Sequence, residues 1–252
     1  MTARLEAPKH DELHVWQGTM GTDVVPGDVA LLSGDERERL ERIRVPGERV
    51  RFCSAHAGMR RVFGAYLAID PSAIRFGRAR CPRCGSADHG PPRIMSPETE
   101  LTFSLSHSGL RWMLAVAPGA PVGIDVEHDA GRDLAAVVRY VLSDAERSDF
   151  DALAEERERR LFLLRAWTRK EAVCKALGVG LAADLTALEA HPREAGPVDV
   201  RFGIGASDAP AWTVTELSGD EDEVAAFARP QGRTRSFVVR EVGKLLPSNA
   251  RA

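Results

Sequence analysis

The chain has 252 residues, 34 basic and 37 acidic side chains, a net charge of −3 and 44% hydrophobic content. That length suffices for one large or two small domains with real cores, and the near-balanced charge argues against a nucleic-acid partner, which needs a basic field. Met1–His10 lacks the apolar core of a signal peptide and no run approaches a membrane span, so the expectation is a cytoplasmic, membrane-free monomer without disulfides.

In chain order, a strand is predicted at Leu13–Gln17, then helices at about 33–44 and 50–69. Residues 70–99 are rich in Pro, Gly and Arg and read as a loop. Strands follow near 101–106 and 111–117, and the turn Pro118-Gly119-Ala120-Pro121 marks a boundary. An acidic strand at 123–127 comes next, then helices at 143–155 and 157–177. Strands at 198–203, 211–217, 223–228 and 235–241 are expected to complete a second sheet, and the last ten residues to fray.

Two acidic segments stand out. In Gly123-Ile124-Asp125-Val126-Glu127 the carboxylates alternate with aliphatics, so Asp125 and Glu127 share one strand face. That pattern fits a solvated acidic edge, or a pair gathered by a hard divalent cation that also takes phosphate oxygens. In Trp167-Thr168-Arg169-Lys170-Glu171-Ala172-Val173-Cys174-Lys175 the helical period puts Trp167, Glu171 and Lys175 on one stripe. Glu171 and Lys175 fit an ordinary helix ion pair, or the third oxygen donor and a cation of a phosphate site. Of only four lysines in the chain, Lys170 and Lys175 fall here; a lysine is a compact charge suited to phosphate.

These segments, with Phe103-Ser104-Leu105-Ser106-His107-Ser108 upstream, resemble the 4′-phosphopantetheinyl transferase superfamily, in its long surfactin-synthetase-activating type. Any one motif is weak, but the three occur in the family's order and spacing. The resemblance implies an α+β fold of two similar, pseudo-twofold-related lobes with the active site in the cleft between them. It implies Mg²⁺-dependent transfer of the phosphopantetheine arm of coenzyme A to a serine of an apo acyl or peptidyl carrier protein, with 3′,5′-ADP released. The carriers expected are those of polyketide or nonribosomal peptide synthesis. By position, Asp125, Glu127 and Glu171 are the implied metal ligands, and Glu171, a water it holds, or Lys175 takes the serine proton. The implied CoA contacts are Arg60, Ser106, His107, Lys170 and Lys175, with Arg39 as a helper. Exposed arginines after Glu127, such as Arg132 and Arg139, are candidates to dock an acidic carrier. One departure is Pro91, which stands where the family often has a CoA-contacting lysine.

An internal repeat supports two lobes. Leu32-Ser33-Gly34-Asp35-Glu36-Arg37 and Leu142-Ser143-Asp144-Ala145-Glu146-Arg147 match at an offset of 110, each with the Ser-x-x-Glu of a capping box. At that offset Phe52 matches Phe162, Leu67 matches Leu177, and Arg60 falls opposite Lys170. The expected division is an N-terminal lobe at 1–120, on the CoA 3′-phosphate and adenine side, and a catalytic lobe at 121–245.

Cys81-Pro82-Arg83-Cys84-Gly85, with His89 behind it, is half of a zinc knuckle. A structural zinc site wants four ligands, so the expectation is a surface loop, with Cys53 and Cys174 buried in helices. The alternative readings of the chain are a zinc-stabilised non-catalytic interaction module or a degenerate CoA-binding protein.

Overall fold

A computed structural model describes residues 4–87, 90–129, 135–180, 183–201, 211–217 and 222–245. The architecture is α+β and divides into two compact units. One comprises Met1–Gly77, Pro92–Gly119 and Ser236–Ala252; the other Arg78–Pro91 and Ala120–Arg235.

The first unit opens with β1 (Glu12–Thr19), a short α1 (Pro26–Val29), α2 (Gly34–Arg42) and the long α3 (Pro46–Leu67). Ser33 caps α2 through its side chain and Glu36 returns the bond, closing the capping box. Pro46 begins α3 where its missing N–H costs nothing. The stretch expected to be a loop contains a two-stranded ribbon, β2 (Arg75–Arg78) with β3 (Pro92–Ser96). The hairpin β4 (Leu101–Ser108) and β5 (Arg111–Pro118) then joins β1. Its core is aromatic: Phe103 packs edge to face with Phe63 and Phe76, which are tilted against each other, and Trp112 lies over Gly18 and Gly58, where any Cβ would collide with the indole.

The second unit contains β6 (Gly123–His128), α4 (Ala135–Val141), α5 (Asp144–Asp151), the long α6 (Glu156–Leu177), β7 (Val198–Arg201), β8 (Ala211–Leu217) and β9 (Glu223–Pro230). Ser143 and Glu146 close a second complete capping box. The remaining strand, β10 (Ser236–Glu241), corrects an expectation. It does not complete the second sheet but pairs in parallel with β1, extending the first sheet to β10-β1-β5-β4. The sequence of a strand carries no record of which sheet edge it joins, and pairing with β1 satisfies backbone groups that would otherwise be left on an open edge.

The repeat extends well beyond the capping boxes. α3 and α6 each span 22 residues, with both boundaries displaced by 110. The second sheet runs β6-β9-β8-β7, so β1-β5-β4 and β6-β9-β8 are the same arrangement used twice. Among the described residues no helix is long and apolar enough to cross a membrane.

Candidate active site

The acidic strand lies directly on α6. Gly123 is fully enclosed, and a Cβ there would sit 1.8 Å from Ala172 O and 2.6 Å from Ala176 N. Strand and helix backbones therefore touch, which only glycine permits. Two residues along the same face, Asp125 is 3% exposed and its Oδ1 accepts from Lys175 Nζ at 2.6 Å. Glu171, one turn before Lys175, is 6% exposed. Its carboxyl pKa is pushed up to about 7, first by burial and then by the negative charges of Asp125 and Glu127, against the pull of Lys175. Glu127 is half-buried at the open end of the strand. The fold thus gathers Asp125, Glu127, Glu171 and Lys175, which are far apart in sequence, within one unit.

Glu171 Oε1 is buried without a hydrogen-bond partner, and it feels the charges of Asp125 and Glu127 with Lys175 nearby. This oxygen-only donor set fits a hard divalent cation. Among the described residues no three His, Cys, Asp or Glu side chains converge closely enough to hold a metal by themselves. Mg²⁺ characteristically takes one or two carboxylates and completes its shell with water and substrate phosphates, so an open set of this kind suits it better than a closed cage.

Glu171 also opens onto a cavity of about 490 Å³ in the same unit, lined by Arg139, Tyr140, Trp167, Asp184 and Thr186 among others. Tyr140 is exposed, and the Arg139 guanidinium lies 4.6 Å from its ring centroid. Arg132 and His89 lie outside the described residues. Just beyond Glu127, Asp129 is gripped by Arg160 of α6 in a two-bond fork, at 2.8 and 2.9 Å. This fork ties the exit of the acidic strand to the helix.

The other expected CoA contacts take varied positions. Arg60 is 1% exposed; its guanidinium donates to Glu36 at 2.7 Å and to Pro71 O and Ile74 O at 3.0 Å. Lys170 is fully buried and donates to Glu146 and to Val141 O. Burial holds its pKa below the ordinary lysine value, with Glu146 opposing the shift. Neither side chain has a surface to offer a ligand. In the first unit, Ser106 is buried on β4, whereas His107 is exposed and near enough to Glu48 to lower that carboxyl's pKa, after the larger effect of Arg51. Arg39 is exposed on α2, its guanidinium 5.1 Å from the Phe52 ring centroid.

Pro91 is built into the end of α6. Gly178 caps α6 in the left-handed conformation at φ 72°, and the Pro91 ring covers the place where a Cβ would point, 2.8 Å away. Cys81 is buried and Cys84 exposed in a turn that the Gly85 N–H closes onto Cys81 O. Cys53 and Cys174 are buried in α3 and α6, and burial pushes the Cys174 thiol up to about 12.

The family model described as the 4′-phosphopantetheinyl transferase superfamily matches residues 121–228, the stretch that carries Asp125, Glu127 and Glu171. The 4′-phosphopantetheinyl transferase HetI of Nostoc is 30% identical over 223 residues, covering 86% of this chain and 87% of its own. The chain belongs to the 4′-phosphopantetheinyl transferase superfamily. It is an enzyme of that class. The 4′-phosphopantetheinyl transferase Sfp of Bacillus subtilis is 26% identical over 176 residues, covering 69% of this chain and 72% of its own. AcpT of Escherichia coli O157:H7 is 36% identical over 92 residues, covering 36% and 46%. The likeness to HetI and Sfp along most of the chain accords with the long type named by the motifs.

The sequence motifs contain the carboxylates, Lys175 and Trp167, but not the Asp129–Arg160 fork or the Tyr140 wall of the cavity. The burial of Arg60 and Lys170 did have a signal. Glu36 and Arg60 are 24 residues apart, as are Glu146 and Lys170.

Proposed function

We propose that this transferase moves the 4′-phosphopantetheine arm of coenzyme A onto a serine of an apo acyl or peptidyl carrier protein, releases 3′,5′-ADP, and serves polyketide or nonribosomal peptide synthesis. The observation that carries the reading is Glu171, a buried carboxyl with one unpartnered oxygen, close to the paired Asp125 and Lys175. A general base must come within hydrogen-bond reach of the proton it takes. Glu171 takes the serine proton; the serine oxygen bonds to the pantetheine-side phosphorus as the pyrophosphate bridge breaks, and 3′,5′-ADP leaves with the electron pair. Lys175 faces the phosphates and offsets their charge. Asp125, Glu127 and Glu171 would hold Mg²⁺, which when bound neutralises charge on the leaving phosphate. Ser106, His107 and Arg39 remain candidate CoA contacts. Arg60 and Lys170 are not carried into this reading, because their donors are already engaged inside the protein.

The test is intact-protein mass spectrometry of apo carrier proteins incubated with the enzyme, CoA and Mg²⁺, with a chelator control. A phosphopantetheine mass gain that vanishes with chelator supports the proposal. Absence of a gain on fatty-acid, polyketide and peptidyl carriers refutes it.

A further inference from the structure

Lys170 stands next to Glu171, yet its ammonium is held inside the protein in a closed ring of bonds. Its Nζ donates to Glu146 Oε2 and, at 2.7 Å, to Val141 O. The same Glu146 carboxylate accepts from Ser143 N at 3.0 Å and, through Oε1, from Ala190 N at 2.7 Å. Ala190 O in turn accepts from Arg169 Nη1 at 3.0 Å. Arg169 is 0% exposed and also donates to His191 O, Glu194 O and Glu216. The ring begins and ends on Arg169 and Lys170, the two residues that precede Glu171. On a helix of 3.6 residues per turn, fixing two consecutive side chains fixes the direction of the third.

The repeat supplies a second, independent observation. In the first unit Glu36 Oε2 accepts from Ser33 N at 2.8 Å and from Arg60 Nε at 2.7 Å. Arg60 then donates to two backbone carbonyls, as Lys170 does to one. Capping-box glutamate, cation on the long helix and backbone acceptor thus recur at equivalent places with different cations. What is kept is a connection between the long helix and the cap of the shorter one, not a particular phosphate-binding group.

We propose that Glu146 and Lys170 form a buried latch that sets the rotation of α6 and holds Glu171 against Asp125, making Lys170 a positioning residue and not a CoA ligand. This rests on the catalytic role given to Glu171 above. Misplacing a reacting group by about 1 Å costs on the order of 100-fold in rate, so the latch acts on kcat and leaves CoA binding alone.

The test uses the full-length enzyme. Removing both charges together, as Glu146→Gln with Lys170→Met, avoids stranding one of them in the interior, and Gln still serves the capping box. Expected are faster amide exchange across residues 166–175, a fall in kcat of about 100-fold and an unchanged KM for CoA. Lys170→Arg, which copies the first unit's cation, should return most of kcat with KM unchanged. A raised KM for CoA with kcat retained would overturn the proposal and make Lys170 a phosphate ligand. So would a folded double variant with wild-type exchange and kinetics. If the double variant does not fold, Lys170→Arg decides: retained kcat and KM support the latch, and a raised KM overturns it. Failure of the wild type to modify any carrier would refute the transfer reading, while the exchange measurement still decides the latch.

Discussion

Replacing Gly123 with alanine tests the contact on which the site is built. The added Cβ would stand 1.8 Å from Ala172 O, whereas ordinary van der Waals contact begins near 3.4 Å, so β6 and α6 must separate by about 1.6 Å. Both opposing atoms belong to helix backbone, so no side chain can turn aside. Overpacking of this kind costs about 1–3 kcal/mol of stability. The separation also carries Asp125 away from Glu171 and Lys175, and a displacement of this size corresponds to a loss of about 100-fold in kcat, or about 2.7 kcal/mol of transition-state stabilisation. Urea unfolding and steady-state transfer kinetics measure the two effects. Gly21→Ala, at a position with nothing within 4 Å, is the control and should change neither. Wild-type stability and kcat in Gly123→Ala would refute the strand-on-helix contact.

Glu171→Gln should abolish transfer and leave the fold intact; a wild-type rate would remove Glu171 from the chemistry. The same variant has a pH signature without metal. Because the folded pKa of Glu171 is raised from 4.5 to about 7, its contribution to stability is fully present below pH 4.5 and is lost as pH rises through 7. The variant should therefore match the wild type at pH 4 and exceed it at pH 8 by about 3 kcal/mol at most; equal stability at pH 8 would contradict the raised pKa. Asp125→Ala should raise the Mg²⁺ concentration needed for half-maximal transfer, and an unchanged titration would exclude Asp125 as a ligand. Ser33→Ala and Ser143→Ala each remove one capping box and should each cost about 1 kcal/mol in urea unfolding; a loss from only one of them would show that the two boxes are not equivalent in energy.

Much of this protein was legible in its residues because local rules govern them. The alternation of Asp125 and Glu127 required a shared strand face, and the spacing of Trp167, Glu171 and Lys175 required a shared helical stripe. Ser33 with Glu36, and Ser143 with Glu146, announced two capping boxes and with them the duplication. Tertiary structure decided the rest, for reasons of burial and pairing that no local pattern carries. It took β10 to the first sheet because a strand's edge partner is chosen by which backbone groups lie open. It made Gly123 obligatory because a helix carbonyl fills the space of its missing side chain. It also turned Arg60 and Lys170 inward. In sequence a cation beside a catalytic carboxylate looks the same whether it meets a phosphate or a buried glutamate, and only the fold decides which one lies within reach.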